Sequence, residues 1–595
     1  MDKELFCFIG RKRLSGSGKT VYRRPEKQIK EVQGMPKKQT PSFVVTRRIQ
    51  PDESQIKFLE DTFRLVDRLY NDVLSEAERR AEALRSDEVY KETLALYQAG
   101  RKTVQELENS IASLQEQIHT ENSQPEKKRL RAERDALKQK LSNQNEILKK
   151  QKSVLSECTE KAGFSEYSLH AFAGELKKDK YDNRLGINIV QKIASDAWRA
   201  EKKVFYGEGK KVHYRKYGQS MSFEDKNASS GIIYKPEERE RKHQPWEHVL
   251  VMGHPMHLKP VREQDAWLKS AMNHTVKYCR IVRKPHGARY HYFLQIVMEG
   301  KPPIKHQIGT KTVGIDPGVS TMTYYTGKEL DMVNLSPQIA ARQKAVKQTA
   351  TVYERRRRMA NPQNYNPDGT VKKDTEAFHK VWNHTKGMDQ ALLRLKSAYR
   401  KMHEYVKQSN GYDTNRILME TRILREESMN YTALAKRAKE CKRQKKNSMV
   451  KTKQGKTKII HKYKRRKRFG ASILKHAPAS FLRMLERKIH RQGGLVYELD
   501  SRSYKASQYD HTKDACEKHT LSERTKIVGG HLVQRDCYSA FLMYHASENG
   551  IDRTSCQEDF ENFLTCQQRL IERLTETNGD ITGNFGLRNF QTIAV

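Results

Sequence analysis

The sequence predicts an α+β multidomain protein, and three observations lead to this prediction. At 595 residues the chain is too long for a single hydrophobic core. Residues 51–205 carry apolar side chains at helical spacing, whereas residues 206–305 contain short runs rich in aromatic and β-branched residues. The segment Thr312–Tyr325 reads as a strand, a Pro-Gly turn and a returning strand, with Asp316 at the tip of the first strand.

The composition points to a polyanionic partner. The chain has 114 Lys and Arg against 72 Asp and Glu, which gives a net charge of +42. Nucleic acid neutralises such a charge, and no apolar run approaches the 18 or so residues that a membrane span needs. The eight cysteines show no CxxC spacing, which suits a reducing compartment. We therefore expect a cytoplasmic protein without a membrane partner.

The first 40 residues are basic and rich in turn-forming residues, and they predict a tail. Within them, Gly16–Thr20 resembles a phosphate-binding loop, but that pattern requires glycine where Arg13 stands. The sequence therefore argues against nucleotide hydrolysis.

A helical lobe is predicted over residues 51–205. Two apolar heptad runs, at 104–118 and 130–155, are separated by the breaker Asn122–Pro125. They predict an antiparallel helical hairpin, with a dimerisation coiled coil as the alternative. The strand at Ser42–Arg48 is expected to join the strands of 206–305 in a small barrel or sheet, with the helices as an insertion. Tyr214, Tyr217 and Trp246 there either pack in the core or stack on RNA bases.

Three acids follow a particular succession of elements. Asp316 ends the first strand, Glu420 ends a predicted strand over Arg416–Glu420, and Asp536 falls in the first turn of a late helix. This order of hairpin, strand, helix, strand, helix, strand and helix is typical of ribonuclease-H-like nucleases. We expect the three carboxylates to converge, because clustered carboxylates suit Mg²⁺ or Mn²⁺.

Several motifs resemble those of the TnpB-type transposon nucleases and the related type V CRISPR effectors. GIDPG at 314–318, ILME at 417–420 and QRDCYSA at 534–540 resemble the three RuvC motifs of that family. The resemblance implies an RNA-guided DNA endonuclease with two-metal RuvC chemistry, whose partners are a guide RNA and a double-stranded target DNA. It would act as a monomer or as a dimer on RNA.

The resemblance also implies a domain order: a wedge β-barrel with an inserted helical recognition lobe, followed by a ribonuclease-H-like RuvC domain that carries a nucleic-acid-loading insertion. The expected segments are a tail at 1–40, the first barrel strand at 41–50, the lobe at 51–205, the remaining barrel at 206–308, the first nuclease part at 309–500 with a basic insertion at 436–468, the loading insertion at 501–531, and the last nuclease helix with a tail at 532–595.

Two departures from the family bear on the site. Many members have a zinc ribbon before the third motif, whereas this chain offers only His511, Cys516, His519 and His531 at nonstandard spacing. We therefore expect no zinc there. Tyr538 stands where the family usually has Asn. Arg524 resembles a basic residue that approaches the scissile phosphate, and a plain surface arginine is the alternative.

Two basic clusters are expected to line a nucleic-acid channel, although charge runs are often only solvated. They are Arg355, Arg356, Arg357 and Arg358, and Lys464, Arg465, Arg466, Lys467 and Arg468. Two other functions stay open. One is an RNA-guided DNA-binding protein that represses without cutting, and the other is a ribonuclease-H-like transposase.

Overall fold

A computed structural model describes residues 40–591, except 237–246, 262–263, 376–377, 436–442, 452–456, 464–468, 521–522, 548–549 and 578–580. Nearly all of the predicted basic tail, Trp246 and the cluster Lys464–Arg468 lie outside the described residues. None of the helices among the described residues is both long and apolar enough to cross a membrane.

The N-terminal part begins with one strand and five helices. Asp52 caps the first helix through a reciprocal pair of hydrogen bonds with Gln55, the capping-box arrangement that fixes where a helix begins. The elements are β1 (Ser42–Arg48), α1 (Glu53–Ser86), α2 (Glu88–Thr120), α3 (Gln124–Lys161), α4 (Glu166–Asp179) and α5 (Ile187–Phe205).

The predicted helical hairpin is present. Helices α2 and α3 pack along each other and are joined by only three residues, so they run antiparallel. Val104, Ile111 and Leu148 of the predicted heptads are buried between helices of this one chain. This apolar seam is therefore covered without a second copy, which removes the main reason for the dimerisation alternative.

The strands of residues 206–308 form two open sheets, and β1 belongs to one of them. The further elements are β2 (Ser222–Glu224), β3 (Ile232–Lys235), β4 (His248–Val251), β5 (His254–His257), α6 (Ala266–Met272), β6 (Val276–His286) and β7 (Arg289–Glu299). One sheet is antiparallel with the order β1-β7-β6-β2, and the other has the order β3-β4-β5. The expected participation of Ser42–Arg48 is thus confirmed, with α1–α5 inserted after it.

The expectation of a closed barrel is wrong for the described residues. Residues 212–217, one of the aromatic and β-branched runs from which strands are predicted within 206–305, are irregular. The amide side chain of Asn71 bonds both the N–H and the C=O of Arg215, so this backbone is satisfied by a helix side chain instead of a neighbouring strand. Only the isolated bridge between Ile49 and Leu258 pairs backbone across the two sheets in the described part of the chain.

A five-stranded sheet organises the next part of the chain. Its order is β10-β9-β8-β11-β14, with β8, β11 and β14 parallel and β9 antiparallel to β8 and β10. The elements are β8 (Lys311–Pro317), β9 (Thr321–Tyr325), β10 (Leu330–Asn334), α7 (Ile339–Ala360), α8 (Lys386–Leu418), β11 (Thr421–Glu427), α9 (Tyr431–Ala435), β12 (Arg443–Lys451), β13 (Thr457–Tyr463), α10 (Gly470–His476), α11 (Pro478–Arg491) and β14 (Leu495–Leu499).

The C-terminal elements complete the layers around this sheet. They are α12 (Ser501–Tyr504), β15 (Tyr509–Asp510), β16 (Ala515–Cys516), β17 (Thr525–Val528), β18 (His531–Gln534), α13 (Arg535–Tyr544), β19 (Ala546–Ser547), β20 (Gly550–Ile551), α14 (Arg553–Thr577), α15 (Thr582–Phe585) and α16 (Leu587–Gln591). One face of the sheet shares a core with α8 and α11, and the other shares a core with α13 and α14. The sheet is therefore the middle layer of three.

Candidate active site

Asp316 lies at the carboxyl end of the central strand β8. Val313 and Ile315 point into the core on the α11 side, so the alternation of side chains turns Gly314 and Asp316 to the opposite face, toward α13. The chain turns sharply after Pro317, where the N–H of Gly318 bonds the C=O of Thr321 at 3.0 Å. The predicted hairpin is confirmed, and it holds the Asp316 carboxyl group at the carboxyl end of the central strand.

Gly314 allows α13 to approach this face closely. A Cβ atom at this position would lie 2.3 Å from the carbonyl oxygen of Ala540 and 2.3 Å from the nitrogen of Tyr544, so any side chain would collide with the helix backbone. Asp536 falls in the first turn of α13, and the side chain of Gln534 caps that helix by accepting from the N–H of Cys537 at 2.6 Å. The helix therefore brings Asp536 toward Asp316, as the sequence predicts.

The structure does not bring Glu420 to this site. The strand predicted over Arg416–Glu420 is wrong, because α8 continues to Leu418 and β11 begins only at Thr421. Glu420 lies at the amino end of the parallel strand, where it forms an ion pair with Lys311 at the start of β8. Asp316 is at the other end of β8, so Glu420 is separated from it by the length of the strand.

Glu427 lies where Glu420 was expected. In the parallel pairing of β11 with β8, Arg425 is opposite Gly314 and Glu426 is opposite Ile315, so Glu427 follows at the level of Asp316. Alternation places Glu427 on the α13 face, together with Asp316. Glu426 points to the other face, where burial and the neighbouring Glu486 raise its pKa. Sequence reasoning missed Glu427, although paired acids after the apolar Ile423 and Leu424 were an available signal.

The electrostatics of the site reflect this crowding of acids. Removal from water, followed by the nearby charges of Asp536 and Glu427, holds the pKa of Asp316 well above its usual range. Burial raises the pKa of Glu427 to about 6. Burial and like charges in close proximity both disfavour ionisation, so these carboxyl groups take up protons more readily than exposed acids do.

Two arginines contact Asp536 from the protein side. An Nη atom of Arg535 lies 3.1 Å from one carboxylate oxygen, and an Nη atom of Arg524 lies 3.6 Å from the other. Arg524 was expected near the scissile phosphate, and the structure places it beside the third acid of the site. The two guanidinium groups partly offset the repulsion among the carboxylates.

The donor set suits a divalent metal in chemistry more than in spacing. Among the described residues, no group of three or more His, Cys, Asp or Glu is spaced to hold a metal ion. Asp316, Glu427 and Asp536 nevertheless provide the oxygen ligands that Mg²⁺ and Mn²⁺ prefer, and burial, followed by the charges of Asp536 and Glu427, raises the pKa of Asp316. By their chemistry these three residues fit a hard cation. In this structure the Asp536 carboxylate is instead paired with Arg524 and Arg535.

The four residues considered as possible zinc ligands are not gathered into a group of metal ligands in the described part of the chain. His511 is buried and bonds the hydroxyl of Tyr538 through Nδ1 at 2.6 Å, whereas Cys516 is exposed. His519 pairs with Glu523 at 3.3 Å, and His531 packs against Phe560. Tyr538, which replaces the usual Asn, is fully buried in the core between α13 and α14 and contributes packing at this position.

The arginine cluster at the end of α7 is largely engaged within the protein. Arg356 donates to the C=O of Gly387 at 2.7 Å, the guanidinium of Arg357 lies 3.9 Å from the ring centroid of Trp382, and that of Arg358 lies 5.4 Å from Tyr365. Arg355 is exposed. Three members of the cluster therefore fix the loop after α7, and Arg355 and Arg358 are the two that are exposed.

Comparisons with known proteins leave the family open. No protein-family model matches the sequence, and no curated protein matches it. The chain is similar to a cryo-EM structure of the Cas12f1–sgRNA–target DNA complex, with a TM-score of 0.39 and 10% identity over 85% of this chain and 99% of that chain. It is also similar to a cryo-EM structure of a CRISPR–Cas12f ternary complex, with a TM-score of 0.22 and 10% identity over 84% of this chain and 98% of that one. At these scores the likeness does not establish a shared fold.

Proposed function

We propose that this chain is an RNA-guided DNA endonuclease with a ribonuclease-H-like site of the RuvC type. The observation that carries the proposal is the meeting of Asp316, Glu427 and Asp536, from three separate elements, on one face of the five-stranded sheet. A ribonuclease-H-like assignment is supported by the elements that carry these acids. The first acid is on the central strand, the second is on the adjacent parallel strand, and the third is on the helix packed over both.

The nucleic-acid partners are proposed from charge and from sequence motifs. A net charge of +42 favours polyanions, and GIDPG and QRDCYSA, which resemble the first and third RuvC motifs, contain Asp316 and Asp536. The resemblance of ILME no longer supports a catalytic role for Glu420, and Glu427 takes that role in the proposal. A guide RNA then reads the target by base pairing, and the protein contacts the backbone of the duplex.

The chemistry assigned to the site is phosphodiester hydrolysis. Bound Mg²⁺ or Mn²⁺ would supply a water-derived nucleophile at neutral pH and stabilise the leaving 3′ oxygen. Asp316, Glu427 and Asp536 would hold the cations through carboxylate oxygens. Arg524, already beside Asp536, is placed to pair with a phosphate oxygen that approaches this carboxylate.

One observation favours a second candidate, an RNA-guided DNA-binding protein that does not cut. Asp536 is paired with Arg524 and Arg535, and the described acids are not spaced as a ready metal site. If Arg524 and Arg535 stay paired with Asp536, this carboxylate would not be available to a metal ion. The chain would then bind its target DNA and block access to it without cutting. The two candidates differ only in the fate of the DNA.

The test is to purify the full chain, sequence the RNA that copurifies, and offer a plasmid complementary to it. We expect cleavage with Mg²⁺ that EDTA abolishes, and we expect Asp316→Ala to lose cleavage while target binding in a gel-shift assay stays within about twofold. Binding without cleavage by the unmodified chain would favour the non-cutting candidate. A chain that copurifies with no RNA and acts on DNA ends would favour a transposase.

A further inference from the structure

The segment between α5 and β2, residues 206–221, presents two tyrosine rings to solvent. Tyr214 is 50% exposed and Tyr217 is 56% exposed. Core packing, one of the two roles considered for these residues, therefore does not describe them. Singly scattered apolar side chains on a surface need no explanation, whereas two exposed aromatic rings within four residues of one segment form a larger apolar feature.

The backbone of this segment is held by side chains beneath it. Asn71 bonds both the N–H and the C=O of Arg215 at 2.8 Å. Asp67, which is fully buried, accepts from the N–H of Gln219 at 2.7 Å and from that of Ser220 at 3.1 Å. Arg283, also buried, donates to the C=O of Gly218 at 2.7 Å. These contacts fix the chain on both sides of Tyr217, so the rings sit on a preorganised support.

The surroundings of the two rings are cationic. The guanidinium carbon of Arg68 lies 4.5 Å from the centroid of the Tyr217 ring, and that of Arg64 lies 5.9 Å from it. The same segment contains Lys210, Lys211 and Lys216.

The acids nearby are engaged within the protein. Glu78 accepts from the Tyr214 hydroxyl, Asp61 pairs with Arg64 at 3.1 Å, and Asp72 pairs with Lys180 at 2.7 Å. The remaining acid of the segment itself is Glu208. The surface thus combines exposed rings with an excess of positive charge.

We propose that residues 206–221, together with Arg64 and Arg68, form a platform on which unpaired RNA bases stack; this inference rests on the proposed function. Stacking on aromatic rings and on guanidinium planes is how proteins bind single-stranded RNA, and the lysines neutralise phosphates. A protein partner is less suited to this surface, because Lys is depleted in the cores of protein interfaces. Single-stranded DNA also presents bases that could stack, and the experiment below distinguishes it from RNA.

The experiment measures binding of a fluorescein-labelled 12-nucleotide oligoribonucleotide, free of base pairing, to the full chain after removal of bound RNA. It is done in EDTA, so the outcome does not depend on cleavage. Tyr214→Ala/Tyr217→Ala is compared with the matched control Tyr214→Phe/Tyr217→Phe, which keeps both rings. A second probe places 2-aminopurine in the RNA, because its fluorescence is quenched when it stacks.

The Ala variant should bind RNA about tenfold or more weakly per ring and lose the quenching, whereas the Phe variant should keep both within about twofold. Thermal unfolding of both variants should match that of the unmodified chain, since the rings are exposed. Equal RNA affinity of the Ala variant and the unmodified chain, or preference of the platform for single-stranded DNA, overturns the inference. Failure of the unmodified chain to bind RNA would instead contradict the proposed function.

Discussion

Glu427 faces Asp316 because side chains alternate along β11 and because β11 runs parallel to β8. A shift of one residue in this register would turn Glu427 toward α11 and bring Glu426 to the site. The two neighbouring glutamates therefore have different surroundings although they are adjacent in the chain. Glu426 shares a buried space with Glu486, whereas Glu427 shares its face of the sheet with Asp316 and Asp536.

A pH dependence follows from the raised pKa of Glu427. Its pKa is about 6 in the folded chain and about 4.3 in an unfolded one. The folded state therefore binds more protons between these values, so this carboxyl group lowers stability as pH rises from about 4.3 to 6 and keeps it lower above that range. Glu427→Gln removes the effect.

In EDTA, the Glu427→Gln variant should match the unmodified chain near pH 4. At pH 7 the free energy of unfolding of the variant should be higher than that of the unmodified chain by up to about 2 kcal/mol. Thermal unfolding across this pH range measures the difference. A difference that does not change with pH would contradict the burial of this carboxyl group.

At the residue scale, Asp316 and Asp536 lie on the elements that the sequence predicts for them, because each stands beside a strong local signal. Asp316 precedes a Pro-Gly turn, and Asp536 falls in the first turn of a helix whose residues 537–543 are all buried. Glu420 was misplaced because Ile417 and Leu418 suit the end of a buried helix as well as a buried strand, and a short apolar run does not distinguish the two. The position of Glu427 depends on the register in which β11 pairs with β8. That register is a property of the tertiary structure, so the local sequence does not reveal it.

The packing of α13 on β8 is the element-scale feature that assembles the site. Its closeness depends on Gly314, since a Cβ there would lie 2.3 Å from two backbone atoms of the helix. Backbone atoms cannot rotate away as a flexible side chain can. The helix would have to move outward, and Asp536 would move with it.

We therefore expect Gly314→Ala to lower the free energy of unfolding by about 1–3 kcal/mol and to reduce cleavage. The matched control is Gly583→Ala in α15, where a Cβ would meet nothing within 4 Å. That change should be neutral or slightly stabilising, because alanine favours a helix. Equal effects of the two substitutions on unfolding would show that α13 tolerates displacement.

Among the elements, those with long periodic patterns are predicted correctly. The heptads of α2 and α3 and the breaker between them specify a hairpin locally. Residues 212–217 have strand-like composition, yet Asn71 takes both backbone hydrogen bonds of Arg215, Asp67 takes the N–H groups of Gln219 and Ser220 just beyond, and the sheet stays open there. Such competition from side chains distant in sequence leaves no pattern in the segment itself.

The whole molecule carries a net charge of +42, which sets its interaction with nucleic acid through counterion release. The structure separates cations that hold the fold from cations that remain accessible. Arg357 stacks on Trp382, whereas Arg355 on the same helix is exposed. Charge counted along the sequence cannot make this distinction.

Arg355→Ala should weaken RNA or DNA binding and reduce by about 1 the slope of log affinity against log salt concentration. The control is Lys140→Ala on the helical hairpin, also exposed, which should leave the slope unchanged. Titrations between 50 and 300 mM salt, roughly the range where such slopes are linear, measure both variants. An unchanged slope for Arg355→Ala would remove this residue from the nucleic-acid surface.

The most direct test of the account compares cleavage of an RNA-matched plasmid by Glu427→Gln and Glu420→Gln in Mg²⁺. Each substitution removes one carboxylate. Glu427 is the last residue of β11 and Glu420 directly precedes the strand, so the two positions are about 23 Å apart along it. We predict that Glu427→Gln lowers the cleavage rate on the order of 10³-fold or more and that Glu420→Gln retains cleavage within about tenfold. Loss of cleavage in Glu420→Gln with activity retained in Glu427→Gln would contradict the site described above.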